Sequence, residues 1–132
     1  SETARILSDP NGSLSKLVNR VAAKNNDCCE GGHMVLSPHV PVEVRVYEKK
    51  GAGMDWHIDD VLFPKEPQIE IVFTIENTSD CITMWEEQSS QEVSIRRQVE
   101  TEPNSILMIK AGGVLHRVSP LKSGRRVILK FV

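Results

Sequence analysis

After Pro41 the apolar side chains fall at every second position, a period that only an extended strand places on one face. Val42, Val44 and Val46 share one side of the first such segment, and Glu43, Arg45 and Tyr47 share the other. Ile69, Ile71, Phe73 and Ile75 alternate in the same way with Glu70, Val72, Thr74 and Glu76. The turn sequence Asn77-Thr78-Ser79-Asp80 follows. Next come a short apolar strand over residues 81–85, a segment around Val93 and Ile95, and strands over 106–109 and 127–131. Short strands separated by Gly, Pro and Asn turns close into a sandwich or barrel, because each has a face to hide. Ahead of Pro41 the period is helical. Asp9-Pro10-Asn11-Gly12 reads as a turn, Ser13 can cap a helix beginning at Leu14, and Leu14, Leu17, Val18 and Val21 form its stripe. Asn25-Asn26-Asp27 and Gly31-Gly32 close that region. The expectation is a mainly β fold with one short N-terminal helix packed on it. It forms a single domain over residues 1–132, with a helical and loop segment at 1–40 and a β-barrel core at 41–132. No internal repeat, low-complexity tract or linker interrupts it.

Size and charge narrow what such a domain can do. A chain of 132 residues, 39% of them apolar, has room for one ordinary hydrophobic core. A formal charge of −2 and a pI near 6.1 leave no basic footprint, so neither nucleic acid nor an anionic membrane surface is expected as a partner. No apolar run approaches the roughly 20 residues that cross a bilayer. The start, Ser1-Glu2-Thr3-Ala4-Arg5, carries neither a signal peptide nor an initiator Met, which reads as a trimmed or processed chain. Three cysteines, two of them adjacent, make a poor disulfide framework. An intracellular, soluble location in the cytoplasm or an organelle stroma is the expectation. The pair Cys28-Cys29 has His33 and His39 nearby, but C-C-x3-H-x5-H is not a spacing that zinc sites commonly use, and the stretch reads as a loop.

The residues that carry chemistry are in Asp55-Trp56-His57-Ile58-Asp59-Asp60. On a strand or its extended end, His57 and Asp59 point to the same side and can reach one metal ion, while Asp60 points away. A third ligand must come from far along the chain, and His116 in Gly113-Val114-Leu115-His116-Arg117-Val118 is the best placed. Two imidazoles and a carboxylate on one face of an octahedron suit non-haem Fe(II) and leave positions open for other ligands. Alone, H-x-D is a weak signal. A strand-end histidine bonded to Asp59 or to backbone, and a second histidine at a barrel rim, would need no metal.

Context strengthens it. Ten residues after His116 stands Arg126, at the start of an apolar strand within Ser119-Pro120-Leu121-Lys122-Ser123-Gly124-Arg125-Arg126-Val127-Ile128-Leu129. Val46-Tyr47-Glu48-Lys49-Lys50-Gly51-Ala52-Gly53-Met54-Asp55-Trp56-His57 sets a tyrosine ten residues before the first ligand. Pro103-Asn104-Ser105-Ile106-Leu107-Met108-Ile109 leads through a glycine pair to His116. Over roughly residues 42–132 the chain resembles the Fe(II)- and 2-oxoglutarate-dependent dioxygenases, in particular their prolyl 4-hydroxylase-like branch.

The resemblance implies a double-stranded β-helix, or jelly-roll, barrel. It also implies Fe(II) held by His57, Asp59 and His116, 2-oxoglutarate as cosubstrate, dioxygen, and possible support by ascorbate. The distal carboxylate of 2-oxoglutarate would pair with Arg126, two positions after Gly124, with Arg125 as the alternative; a guanidinium is suited to a bidentate, charge-assisted pair. Tyr47 and Thr74 would assist in binding the cosubstrate. Trp85, Arg45 and Trp56 are candidates for the substrate pocket. The implied reaction hydroxylates an unactivated C–H bond with release of succinate and carbon dioxide and needs no catalytic side chain beyond the metal site. Asp59 argues against a halogenating variant, which has a small residue there. The branch's commonest target points to a peptidyl, prolyl-type substrate; a small-molecule metabolite is the alternative within the same chemistry. The departure is size: the loop over residues 60–68 is short, where many members carry longer lids and more helix. Outside this chemistry stand a non-catalytic cupin-like metal- or ligand-binding module and a zinc-type hydrolase. The second is disfavoured, since no general base stands beside the triad and Arg126 would have no task.

Overall fold

The protein is described by a computed structural model over residues 1–24 and 33–132; the turn residues 25–27, the Cys28-Cys29 pair and the Gly31-Gly32 pair lie outside the described residues. Two helices, α1 (Glu2–Ser8) and α2 (Ser13–Lys24), precede eight strands. The strands are β1 (Glu43–Tyr47), β2 (Met54–His57), β3 (Ile69–Asn77), β4 (Thr83–Gln88), β5 (Ser94–Val99), β6 (Ser105–Lys110), β7 (Leu115–Val118) and β8 (Arg126–Phe131). They form two four-stranded antiparallel sheets, ordered β1-β8-β3-β6 and β2-β7-β4-β5, a β-sandwich architecture.

The single expected helix is corrected to two. α1 has no fully buried residue, and its inward face is only Ala4 and Leu7, of which Leu7 packs on the core, too short a stripe to read. Local polar bonds hold it instead: Ser1 Oγ accepts from the Ala4 N–H at 3.2 Å, and Glu2 pairs with Arg5. The strand expected at 81–85 begins later, at Thr83. The backbone N–H groups of Cys81 and Ile82 are taken by the hydroxyls of Ser79 and Ser119, which removes them from any ladder.

The sheet containing β3 is covered on both faces. Ile69, Ile71 and Phe131 pack with Val18 of α2, and with the partly buried Leu14, Met34, Leu36 and Val42. The other face meets the second sheet through Tyr47, Cys81, Val118, Leu121 and Ile128, with Met54 and Val72 beside them. In β1 this turns Tyr47 inward and leaves Val44 and Val46 exposed at 63% and 45%.

The loop leading into β8 decides which of two adjacent arginines enters the sandwich. Thr78 donates its N–H to the Arg125 carbonyl at 2.8 Å, and its hydroxyl accepts from the Arg125 N–H at 3.1 Å. Asp80 Oδ1 accepts from the N–H groups of Lys122 and Ser123 at 2.9 and 3.2 Å. Gly124, at φ +78, lies so close to the Thr78 carbonyl that a Cβ would collide with it. Those two N–H bonds, foremost the one from Lys122, hold the Asp80 carboxyl below its ordinary value of 3.8. Its stabilising contribution is therefore present above 3.8 and is lost as pH falls through the lower folded-state value. Asp80→Ala is expected to lower the thermal midpoint near neutrality. In unfolding scans across pH, the gap to the unsubstituted protein should close in acid; a gap that persists there would refute this role for the carboxylate.

Candidate functional site

His57 ends β2 and lies directly across from His116 on β7, with the ring centroids 4.3 Å apart. A β-bulge makes this possible. Met54 pairs with Val118 and His57 with His116, so β2 spends one extra residue over the same span. Simple alternation would put Met54 and His57 on opposite faces; the bulge brings both inward.

Asp59 follows the end of β2, and its carboxylate stands between the two imidazoles. Oδ1 is 3.3 Å from His57 Nε2, and Oδ2 is 3.5 Å from His116 Nε2. Two contacts fix this residue's backbone neighbourhood. The Asp59 carbonyl accepts from the Gly112 N–H at 2.8 Å, which docks the β6–β7 turn against the β2 end. The buried Gln68 side chain accepts from the Leu62 N–H at 2.9 Å and donates to the Asp60 carbonyl at 3.1 Å. Asp60 itself is exposed.

The protonation pattern of the imidazoles follows from their other nitrogens. His57 Nδ1 lies 2.7 Å from the Asp55 carbonyl, and His116 Nδ1 lies 2.9 Å from the Val114 carbonyl. A carbonyl only accepts, so each Nδ1 carries a hydrogen and each Nε2 is left facing Asp59, as a lone pair in the neutral ring. This backbone support of the outer nitrogen is the usual companion of a metal-ligating histidine. Asp59 Oδ2 is buried with no hydrogen-bond partner. Two lone pairs and an orphaned carboxylate oxygen facing one point are the donor set a divalent cation takes. His57, Asp59 and His116 could hold a metal ion, and among the described residues they are the one group of three with that geometry.

The same inter-sheet cavity is lined by Tyr47, Arg126, Glu70 and Lys130, with Val72, Leu107, Ile109 and Ile128 as apolar wall. Arg126 is 2% exposed, and its Nη1 has no partner. Its guanidinium lies 5.3 Å from the centre of the Tyr47 ring, across the β1–β8 pairing of these two residues. Burial pushes the Arg126 pKa below its ordinary value, and Tyr47 and Cys81 oppose the shift. Thr74, opposite Ile128, is 1% exposed, and its hydroxyl is also unpartnered. Arg125 points the other way and pairs at the surface with Glu48 and Glu76 at 3.3 and 3.1 Å.

The remaining sequence candidates lie apart from this cavity. Trp56 does not line it. It stacks with Arg117 and Arg96, at 5.7 and 4.9 Å from its ring. Because His116 and Arg117 are strand neighbours, this contact puts Trp56 on the far face of the sheet. Trp85 pairs across the sheet with His116, but its indole N–H donates to Glu87 at 2.8 Å and it is not part of the lining. Arg45 is bonded to Glu43 and reaches the Met54 sulfur at 3.7 Å.

Three site residues carried no usable signal as single letters: Gln68, Glu70 and Lys130. Glu70 and Lys130 form an ion pair at 3.1 Å within the cavity. Burial, foremost, and the neighbouring Asp59 carboxylate push the Glu70 pKa up, while Lys130 opposes the rise. Alternation does place them, since Glu70 shares a face with Val72 and Thr74, and Lys130 with Ile128 and Arg126.

Compared with protein families and with curated proteins, the chain gives no match. Among the described residues no helix is long and apolar enough to cross a membrane.

Proposed function

We propose that the protein is an Fe(II)- and 2-oxoglutarate-dependent oxygenase, of prolyl-hydroxylase-like type, that hydroxylates a peptidyl side chain. One observation carries the reading: a buried guanidinium whose Nη1 has no hydrogen-bond partner shares a cavity with a His-Asp-His group that could hold a cation. A buried unpaired cation is costly, so a site that keeps one is shaped for an anion. On the neighbouring strand, across from Ile128, the buried Thr74 hydroxyl also has no partner and is a candidate second donor to that anion. A dicarboxylic acid that touches the metal at one end and Arg126 at the other uses both halves of the cavity. The strand pairings support the same reading. β1 pairs with β8, β2 with β7, β3 with β6 and β4 with β5. That is one antiparallel ribbon wound into two sheets, the construction of a jelly roll.

His57, Asp59 and His116 would hold the iron on one side and leave its other positions for ligands. When bound, the iron with 2-oxoglutarate and dioxygen supplies the oxidation: one oxygen atom enters succinate as carbon dioxide leaves, and the other enters the substrate C–H bond. Arg126 binds the distal carboxylate through its planar fork, and the Tyr47 ring, its centre 5.3 Å away, gives the guanidinium a cation–π neighbour. Val72, Leu107, Ile109 and Ile128 exclude water from the reacting end. The protein incubated with Fe(II), ascorbate, 2-oxoglutarate and air is expected to form succinate, and His57→Ala or Asp59→Ala to abolish it. Succinate formation unchanged in either variant would exclude this site as its source.

A further inference from the structure

Apart from the His-Asp-His group, Tyr47, Thr83 and Arg126, the polar lining of the cavity is Glu70 and Lys130. Their ion pair is 3.1 Å long, and their side chains are 12% and 21% exposed. An apolar pair would fill the same volume without desolvating two charges, so packing alone does not account for these residues. Among the described residues Lys130 Nζ has Glu70 as its one partner within bonding distance, which leaves an ammonium with three donors under-used.

Charge decides what the pair can receive. On the oxygenase reading, on which this inference rests, a divalent metal is balanced by Asp59 and the near carboxylate of 2-oxoglutarate. Arg126 is balanced by the far carboxylate, and Lys130 by Glu70. No charge is left for a substrate to neutralise, so the group that meets the pair is neutral and must offer a donor to Glu70 and an acceptor to Lys130. The N–H and C=O of one residue in an extended peptide point to the same side, as the hydrogen-bonded pairs of an antiparallel ladder show. They can add to the remaining lone pairs and donors without breaking the ion pair. A free amino acid, with a charged group at each end, would have to break it.

We propose that Glu70 and Lys130 form the substrate subsite beside the metal, taking the main-chain N–H and C=O of one residue of an extended peptide. The test uses the protein loaded anaerobically with Fe(II) and 2-oxoglutarate, read through the visible absorption of the iron–2-oxoglutarate chelate. Tripeptides capped by acetyl and amide groups, with the central residue varied and proline among them, are titrated against the free amino acids of the same composition. At least one capped peptide is expected to shift the band saturably. Glu70→Gln and Lys130→Met should each raise the half-saturating concentration about tenfold or more, as the loss of a hydrogen bond to a charged group does. Lys130→Arg should retain most of the binding. On the unsubstituted protein, N-methylation of the one amide that meets Glu70 should weaken binding to a similar degree, a readout that needs no variant to fold. Free amino acids binding more tightly than capped peptides, binding indifferent to both substitutions and to methylation, or no capped peptide bound would each overturn the subsite. Absence of the chelate band would sink the oxygenase reading and the subsite with it, whereas a band that peptides leave unmoved sinks the subsite alone.

Discussion

Fe(II), Mn(II) or Co(II) added to the metal-free protein is expected to raise its thermal midpoint, and a chelator to return it. The three donors are preset: the two rings are oriented by Nδ1 bonds to the Asp55 and Val114 carbonyls, which turn each Nε2 toward Asp59, and Asp59 Oδ2 is buried without a hydrogen-bond partner. Little reorganisation opposes binding, and a ligand at one hundred times its Kd adds about 2.7 kcal/mol to stability. His57→Ala, Asp59→Asn and His116→Ala should each remove the metal response. Asp59→Asn separates site from scaffold. It keeps the shape and removes the charge that a metal ion needs, so the metal-free variant should stay folded, with its contacts to His57 and His116 altered, while its metal response is lost. Thermal scans with and without metal, supported by calorimetric titration, measure both. A metal shift of equal size in all three variants would place the ion elsewhere.

Replacing Arg126 by Met should split stability from ligand binding in the same way, with a larger effect. Arg126 is 2% exposed and its Nη1 is orphaned, with the Tyr47 ring and the Cys81 thiol as favourable neighbours. Replacing buried charges by apolar groups of similar volume is neutral or stabilising by about 1–4 kcal/mol. The lost cation–π contact offsets about 0.5–2 kcal/mol of that. The net expectation is a midpoint that rises or holds in the absence of ligand. Binding of 2-oxoglutarate should fall by about 2–5 kcal/mol, the usual loss when one partner of a buried charged pair is removed. Arg126→Lys should recover only part of this, since an ammonium lacks the fork. Arg125→Met serves as the control: its ion pairs with Glu48 and Glu76 are at the surface, where such pairs contribute about 1 kcal/mol or less. Calorimetric titration with 2-oxoglutarate and denaturant unfolding of the metal-free proteins measure the two effects. A strongly destabilised Arg126→Met would mean that the guanidinium is a structural partner, and would remove the main support for an anion site.

The pairing of His57 with Asp59 was legible because a strand end has a period of two and the residues are two apart. That legibility was partly fortunate, since the β2 bulge between Met54 and His57 breaks the period just upstream. Strand positions along β1, β3, β6 and β8 followed from alternation to within a few residues, whereas β4 was misplaced because Ser79 and Ser119 hold its approach. α1 left no trace in hydropathy, being held by Ser1, Glu2 and Arg5 at the surface.

By itself the sequence determined a mainly β chain, the faces of the strand residues wherever no bulge intervenes, and His57, Asp59 and His116 as candidate partners. Those are local properties, set by the pleat of the strand and the chemistry of three side chains. The inward direction of each face was decided only in three dimensions. On β3 the apolar face lies under α2 and the other face, with Glu70 and Val72, lines the cavity, because two layers compete for one sheet and the second layer comes from elsewhere in the chain. The choice between Arg125 and Arg126 was likewise tertiary. It rests on Thr78 and Asp80, more than forty residues upstream, gripping the loop before β8. No period of a strand encodes a contact across that separation.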